Sequence, residues 1–323
     1  MLNKGGKISF SIVIPNYNGA DFLPDCLESI VKSAKLCPNT GFEIILADNA
    51  STDNSLKIFR FFSQKYKYII KTKCLNLPAN LGFGAAVNQG ASLCAYPYLI
   101  VANNDIELKP NWFSIVKKNI KNYPKTSCFY GLVLNKTGDR IESAGFKFFS
   151  SGRCENINNG QPYTKNRPVK GDVRLASPRG GRTEGLFQIW GAPASLIVYR
   201  RSVFNQLGGF DARFFAYIED VDLAYRFHRA GFVTSYIPQA VSYHLGGATS
   251  HKMGNLRAYM TLRNWLFFIK KNYSKKQIIS NFPAIFFERL KNLKYFFIST
   301  PGKLWLPQIR TIWIDLLNFD HKL

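Results

Sequence analysis

Ile8-Ser9-Phe10-Ser11-Ile12-Val13-Ile14-Pro15 runs directly into Asn16-Tyr17-Asn18-Gly19, and this junction decides the fold class. An apolar, β-branched run closed by a proline predicts a strand buried on both faces, as in a parallel sheet. The polar turn is followed by Asp21 to Ser33, whose spacing predicts a helix with Phe22, Leu23, Leu27, Ile30 and Val31 facing inward. A second strand, Phe42 to Ala47, ends in a second polar turn, Asp48-Asn49-Ala50-Ser51-Thr52-Asp53-Asn54-Ser55. Strand, turn, helix, strand, turn is the start of an open α/β sheet. Such sheets bind ligands beyond the carboxyl ends of their strands, where both turns lie. Taken alone, the turns also suit ordinary loops in which Asp, Asn and Ser serve as turn and cap residues.

Two further blocks continue the pattern. In Asn80-Leu81-Gly82-Phe83-Gly84-Ala85-Ala86-Val87-Asn88-Gln89-Gly90, small residues permit close backbone approach. A helix from there to about Ala95 would present its amino end to an anion. The strand Tyr98 to Ala102 ends in Asn103-Asn104-Asp105. Oxygen-rich residues at such a point suit Mg2+ or Mn2+, which bridge a diphosphate through one or two protein carboxylates, and Asp105 is the available carboxylate. No phosphate-cradling glycine loop is present.

Farther along come Gly208-Gly209-Phe210-Asp211, Phe214-Phe215-Ala216-Tyr217, Glu219-Asp220-Val221-Asp222, Arg226 and Gly231. Glu219, Asp220 and Asp222 cannot all be buried ionised without partners, so a polar pocket is expected. From Val221 the spacing predicts a helix with an acidic first turn, ended by Gly231. An acidic helix start that only caps and solvates is the plain alternative; the aromatic run before it favours a shaped cavity. Upstream, Trp190-Gly191-Ala192 opens a predicted strand to Val198, and Arg200 starts a helix ending near Gly208. Between Gly131 and Arg182, turn signals predict hairpins and a flap. A strand from Val233 to Ile237 precedes Tyr243-His244-Leu245-Gly246-Gly247-Ala248-Thr249-Ser250, where His244 is either a structural residue or a ligand; His228 and His251 read as surface residues.

In order and residue type these blocks resemble the inverting family 2 glycosyltransferases, especially their rhamnosyltransferase-like branch. The resemblance spans most of the first 250 residues. It implies an α/β fold of GT-A type: a Rossmann-like nucleotide-sugar-binding domain with a mostly parallel sheet, donor half about 1–130 and acceptor half about 131–250. It further implies that Pro15, Tyr17, Asn18, Asp48 and Asn49 hold base and ribose, Asp48 accepting from a pyrimidine imide NH. Asn80, Gly82 and Asn103 would lie beside the donor diphosphate. Asp105 would bind Mg2+ or Mn2+ with His244 completing the set, Asn103 standing where the family's Asp-x-Asp motif begins. The Glu219-Asp220 pair would supply the base, with Asp220 favoured, and Trp190, Gly191, Asp222 and Arg226 would face the acceptor, unless Trp190 is a core residue.

The implied reaction is a direct displacement: a carboxylate takes the proton of an acceptor hydroxyl, which attacks the anomeric carbon opposite the diphosphate. Rhamnose from the dTDP donor is the favoured sugar, other deoxysugars, galactofuranose and hexoses remaining open, and a lipid-linked saccharide is the implied acceptor. A nucleotidyltransferase would instead want an Arg- and Gly-rich phosphate turn where Asn16-Tyr17-Asn18-Gly19 stands. A non-enzymatic nucleic-acid or membrane module would leave Asp105, Glu219 and Asp220 without use.

With 323 residues and 46% hydrophobic content, the chain can build one large α/β domain plus an appendage. Six cysteines without Cys-x-x-Cys spacing, and no charged-then-apolar leader, predict reduced thiols in a cytosolic protein and no zinc site. Formal charge is +23, and residues 251–323 carry 13 Lys and Arg against 3 Asp and Glu, a surplus of 10. This basic helical tail interleaves its cations with Trp265, Phe267, Phe268, Phe282, Phe286, Phe287, Tyr295, Phe296, Phe297, Trp305 and Trp313. Lacking an apolar run of about 18 residues, it predicts no spanning helix. Its composition suits attachment to the anionic cytoplasmic face of a membrane, through Lys270, Lys271, Lys275 and Lys276. It equally suits a helical subdomain with a solvated basic face; nucleic acid, with no recognised motif, is the least supported partner.

Overall fold

The computed structural model describes residues 7–164, 187–245 and 254–319. Strands β1 (Phe10–Asn16), β2 (Phe42–Asp48), β3 (Lys71–Asn76) and β4 (Tyr98–Ala102) pair in parallel in the order β3-β2-β1-β4. The strands inside this row are apolar and buried because helices cover the sheet. β3 lies at the sheet edge with Lys71 and Lys73, charges that discourage pairing with another chain. Helix α1 (Leu23–Lys35) begins with Pro24 in its first turn and buries Leu23, Cys26, Leu27, Ile30 and Val31. Helices α2 (Ser55–Lys65) and α3 (Phe83–Ser92) make the next crossovers. The chain steps outward from β1 to β3, then returns to the other side of β1 as β4. That reversal opens a crevice beyond the carboxyl ends of β1 and β4.

After β5 (Ile106–Leu108) and α4 (Trp112–Asn122) come β6 (Cys128–Asn135), β7 (Ile141–Ser143), β8 (Phe146–Phe148), β9 (Cys154–Asn156), β10 (Phe187–Ile189), β11 (Leu196–Arg200) and β12 (Thr234–His244). The full row is β10-β12-β6-β11-β4-β1-β2-β3, with β11 antiparallel to both neighbours and β12 parallel to β6. The sheet is therefore mostly parallel and of GT-A type. β8 and β9 form a separate hairpin; the part of the expected flap from 165 to 182 lies outside the described residues.

Two expected strands differ. Trp190 to Val198 is not continuous: β10 stops at Ile189 and a loop leads to β11. Gly191 lies so close to the chain that a Cβ there would sit 2.4 Å from the Ala224 side chain, and Pro193 has no N–H to donate to a ladder. The strand expected to end at Ile237 instead runs to His244, through a register shift between Ile237 and Val241 that absorbs Pro238. His244 thus closes a strand rather than opening a loop, and Gly246 to His251 lie outside the described residues.

Helices α5 (Arg201–Gln206) and α6 (Glu219–Arg229) precede four more: α7 (Gly254–Asn272), α8 (Lys275–Ser280), α9 (Phe282–Ser299) and α10 (Trp305–Asn318). α7 is part of the core. Trp265, Phe267, Phe268 and Tyr273 form one buried cluster with Phe146, Trp190, Phe214, Val221 and Tyr225. α9 and α10 differ, leaving Phe282, Phe286, Phe287, Ile298, Leu306, Trp313 and Leu317 exposed. Among the described residues no helix is long and apolar enough to cross a membrane.

Candidate active site

The crevice holds a cavity of about 380 Å³. Ten of the residues expected from sequence line it: Pro15, Tyr17, Asn49, Asn80, Gly82, Asn103, Asp105, Glu219, Asp220 and His244.

Its floor is built from side chains that tie one turn to another. Asn16 Nδ2 donates to Asp48 Oδ1 at 2.9 Å and to Ser51 Oγ at 3.1 Å, while Ser51 donates its hydroxyl to Asp48 Oδ1 at 2.6 Å and its N–H to Oδ2 at 2.9 Å. Asp48 is 1% exposed and is not among the residues lining the cavity; both its oxygens accept bonds from the turns around it. Asn18 does similar work, accepting from Thr52 N at 2.8 Å, and also stays off the lining. Asn49 accepts from Leu81 N and donates to Gly82 O, joining the second turn to the third block. At Gly82 φ is +85°, and a Cβ would meet Phe215 O at 2.3 Å, so only glycine fits. Phe83 N–H donates to that same carbonyl at 2.8 Å. The amino end of α3, expected to face an anion, is in part closed by Phe215.

At the opposite wall, His244 joins two carboxylates. Nε2 stands 3.1 Å from Asp105 Oδ1 without hydrogen-bond alignment, leaving both atoms without a hydrogen-bond partner among the described residues. Nδ1 contacts Glu142 Oε1 closely. Burial alone would lower the imidazole's pKa; Asp105 and Glu142 outweigh it and push the value up to about 10. Glu142 also lines the cavity and was not anticipated: a lone acid in a three-residue strand carries no local signal.

The acidic pair opens α6 directly after a strained loop. Phe215 has φ 64° and ψ −62°, and Ala216 N–H reaches Phe214 O at 2.8 Å, a γ-turn of the rare positive-φ kind. Tyr217 and Ile218 also have positive φ. Such residues persist only where surroundings enforce them. Here the enforcer is Asn264 of α7, fully buried, whose amide nitrogen reaches the carbonyls of Phe214, Ala216 and Tyr217 at 2.9, 2.8 and 2.8 Å. Asp220 is half-buried, accepting from Val221 N at 2.8 Å and Ala194 N at 3.3 Å. Glu219 is buried, with Oε2 unpartnered among the described residues. Burial, then the charge of Asp220, pushes Glu219 up to about 8; burial raises Asp220 as well, against the backbone N–H groups of Ala194, Val221 and Asp220 itself. Burial and mutual repulsion thus both oppose a doubly ionised pair. A second cavity, of about 720 Å³, shares both residues with the first, so the pair stands where the two meet.

Four expected acceptor residues line neither cavity. Trp190 stacks on Phe148 at 4.3 Å and packs on Tyr225, with His228 exposed against its ring. Gly191 provides the close approach to α6 described above. Asp222 is fully buried, accepting from Lys271 and Asn272 of α7 at 2.9 Å each. Arg226 donates to Asp222 and to the carbonyls of Leu207 and Gly209. These residues hold the acidic block together from behind.

The profile of the group described as glycosyl transferase family 2 matches residues 11–208, more than half of the chain. An N-acetylglucosaminyl-diphospho-decaprenol L-rhamnosyltransferase of Mycobacterium tuberculosis is 29% identical over 231 residues, covering 68% of this chain and 71% of that protein. A poly(ribitol-phosphate) beta-glucosyltransferase of Bacillus spizizenii is 31% identical over 117 residues, 35% of this chain and 18% of the relative. Among solved structures, S. aureus TarS 1-349 superposes with TM-score 0.59 at 16% identity, covering 96% of this chain and 80% of that one. A mannosyltransferase from Pyrobaculum calidifontis, solved with GDP-Man and Mn2+, superposes with TM-score 0.56 at 12% identity, covering 97% and 76%. These likenesses agree with the GT-A architecture, and the chain belongs to glycosyl transferase family 2.

Proposed function

We propose that this enzyme is a metal-dependent, inverting glycosyltransferase that moves a sugar, rhamnose from dTDP-rhamnose in the first instance, onto a lipid-linked saccharide during cell-surface polysaccharide synthesis. The observation that carries the reading is the position of Asp220, a carboxylate between two cavities, one at the carboxyl ends of β1 and β4 and one against α7. The nucleotide sugar occupies the first cavity and the acceptor the second. Asp220 takes the acceptor proton, with Glu219 beside it. The name of the mycobacterial relative supports both rhamnose and a diphospho-lipid acceptor.

The first cavity's chemistry fits a divalent cation. Asp105, Glu142, Glu219 and Asp220 line it, no Lys or Arg does so among the described residues, and the one imidazole, His244, is already engaged by Asp105 and Glu142, so a diphosphate needs further positive charge. Asp105 Oδ1, buried and lacking a hydrogen-bond partner, would hold the ion, and His244 could join it after giving up its proton. Mg2+ or Mn2+ held there would draw further oxygens from diphosphate and water. When bound, the ion neutralises charge on the departing nucleotide.

Attachment to the cytoplasmic face of a membrane is part of the same proposal. It is supported by the exposed aromatic and aliphatic side chains of α9 and α10 beside exposed lysines. Lys270 and Lys271 are not among those lysines: the first donates to Leu316 O, and the second is spent on Asp211 and Asp222.

The test is transfer of labelled sugar from a panel of nucleotide donors to an N-acetylglucosaminyl-diphospho-lipid. Label should pass from dTDP-rhamnose with inversion at the anomeric carbon, stop in chelator, and return with Mg2+ or Mn2+. Transfer from another donor reassigns the sugar, and full activity in chelator removes the metal.

A further inference from the structure

Resting on the reading of a diphosphate-linked acceptor, we infer that Arg257 of α7 grips the acceptor's diphosphate, making the carboxy-terminal region part of the substrate site. The second cavity, about 720 Å³, is walled on one side by the acidic pair and on another by Arg257, Thr261 and Trp265 of α7. Three carboxylates line it: Glu155, Glu219 and Asp220. Arg257 is the one cation among its described lining residues. Glu155 has a partner in Arg153 at 3.2 Å, whereas no carboxylate pairs with Arg257 among the described residues. Arg257 instead projects, exposed, with its guanidinium 5.8 Å from the centre of the Tyr217 ring, a contact that orients the group without using its hydrogen-bond donors. A guanidinium held this way, with its fork of N–H donors free, matches a phosphate. It also lies in the first turn of α7, where the helix dipole favours an anion.

The rest of the cavity suits the sugar attached to that phosphate. Asn156 Oδ1 and Glu219 Oε2 are buried without hydrogen-bond partners among the described residues and belong to residues lining this space, a surplus of polar atoms that sugar hydroxyls can satisfy. Trp265 supplies an apolar wall. The order along the cavity is then attacking hydroxyl at Asp220, sugar ring in the middle, diphosphate at Arg257, and lipid leaving toward the helices whose apolar side chains are exposed.

The experiment compares two soluble acceptors without any bilayer: a short-chain N-acetylglucosaminyl diphosphate and the matching alkyl N-acetylglucosaminide lacking phosphate. Arg257→Gln should raise KM for the diphosphate acceptor, lowering kcat/KM on the order of 10- to 100-fold, while kcat and donor KM hold. For the phosphate-free acceptor, wild type and Arg257→Gln should be alike, and Arg257→Lys should recover part of the diphosphate preference. Equal loss on both acceptors, or none on either, overturns the inference while leaving the transferase reading intact. A loss that appears only when anionic vesicles are added also overturns it, assigning Arg257 to lipid headgroups. Failure of the wild-type enzyme to use either acceptor with any nucleotide sugar would sink the underlying reading itself.

Discussion

The two sides of the active site are held by different kinds of contact. On the donor side, side chains in short turns bond to the next turn: Asn16 to Asp48 and Ser51, Asn18 to Thr52, Asn49 to Leu81 and Gly82, Asn104 to Asn16. All belong to the row of strands that opens the chain. On the acceptor side, the loop leading into Glu219 and Asp220 is strained, and it and the start of α6 depend on a helix some fifty residues downstream, through Asn264, Lys271 and Asn272. The donor side is thus specified locally and the acceptor side by remote packing. Substitutions should accordingly separate donor binding from transfer.

The largest separation is expected at Asp220. Asp220→Asn removes the carboxylate between the cavities but keeps the shape, so turnover should fall between about 100- and 10,000-fold while donor affinity is little changed. Measuring kcat beside nucleotide-sugar binding checks this. Near-normal turnover in Asp220→Asn with a dead Glu219→Gln would exchange the two roles.

Lys271 comes next. Its ammonium lies 2.7 Å from Asp211 and 2.9 Å from Asp222, both essentially buried. Against the upward push of burial, Arg213 and Lys271 hold Asp211 at about 2. Lys271→Met removes the cation that both carboxylates share, leaving Asp211 to Arg213 and Asp222 to Arg226, which should cost about 1.5–3 kcal/mol of stability, read as the urea midpoint at neutral pH. The deficit should shrink toward low pH as protonation removes the need for a partner. If α7 were only an appended helix, the midpoint would barely move.

This contrast also accounts for what could be read from sequence. The strands and helices of the donor side stand close to where periodicity and turn residues place them, because each is coded by its own neighbours. Which carboxylates face the cavity is not coded that way: Asp48 and Asp222 look as available as Asp105 and Asp220, and only tertiary packing turns them inward. Asn264 and Lys271 were hidden for a related reason. They lie in a stretch whose basic, aromatic composition suits a surface helix, and their carbonyl and carboxylate partners come from a distant loop. Glu142 and the Pro193-Ala194-Ser195 loop meet the acidic pair and His244 only through the pairing of strands far apart in sequence.

A smaller effect sharpens the account of the acidic pair. Glu219 holds its proton to about pH 8 in the folded protein, against an ordinary value of 4.5, so the folded state binds more protons between those limits. Stability from this source is complete below pH 4.5 and is lost as pH rises through 8. Glu219→Gln removes the dependence. Its melting temperature should vary less between pH 5 and pH 9 than that of wild type, and at the alkaline end it should be the more stable protein by on the order of 2 kcal/mol. Parallel curves would mean that Glu219 is ionised in the folded state and that the proton of the pair has been misplaced.

The smallest effect tests the helices beyond α7. Lys275, Lys276, Lys294 and Lys303 are exposed, and Phe282, Phe286 and Phe287 are at least half exposed, so here the composition is free to meet a surface as it is not in α7. A lysine near an anionic bilayer contributes about 1 kcal/mol, screened by salt, whereas a buried aromatic contributes regardless of salt. Lys275→Gln with Lys276→Gln should therefore weaken co-sedimentation with phosphatidylglycerol-containing vesicles roughly tenfold or more at low salt and much less at high salt. Phe286→Ser with Phe287→Ser should weaken it in both. Neither pair touches the acidic block, so the urea midpoint should stay near that of wild type, in contrast to Lys271→Met. If both pairs bind vesicles as wild type does, or if wild type does not bind at all, the exposed face has another purpose and the division between a structural α7 and a surface-seeking α9 and α10 fails.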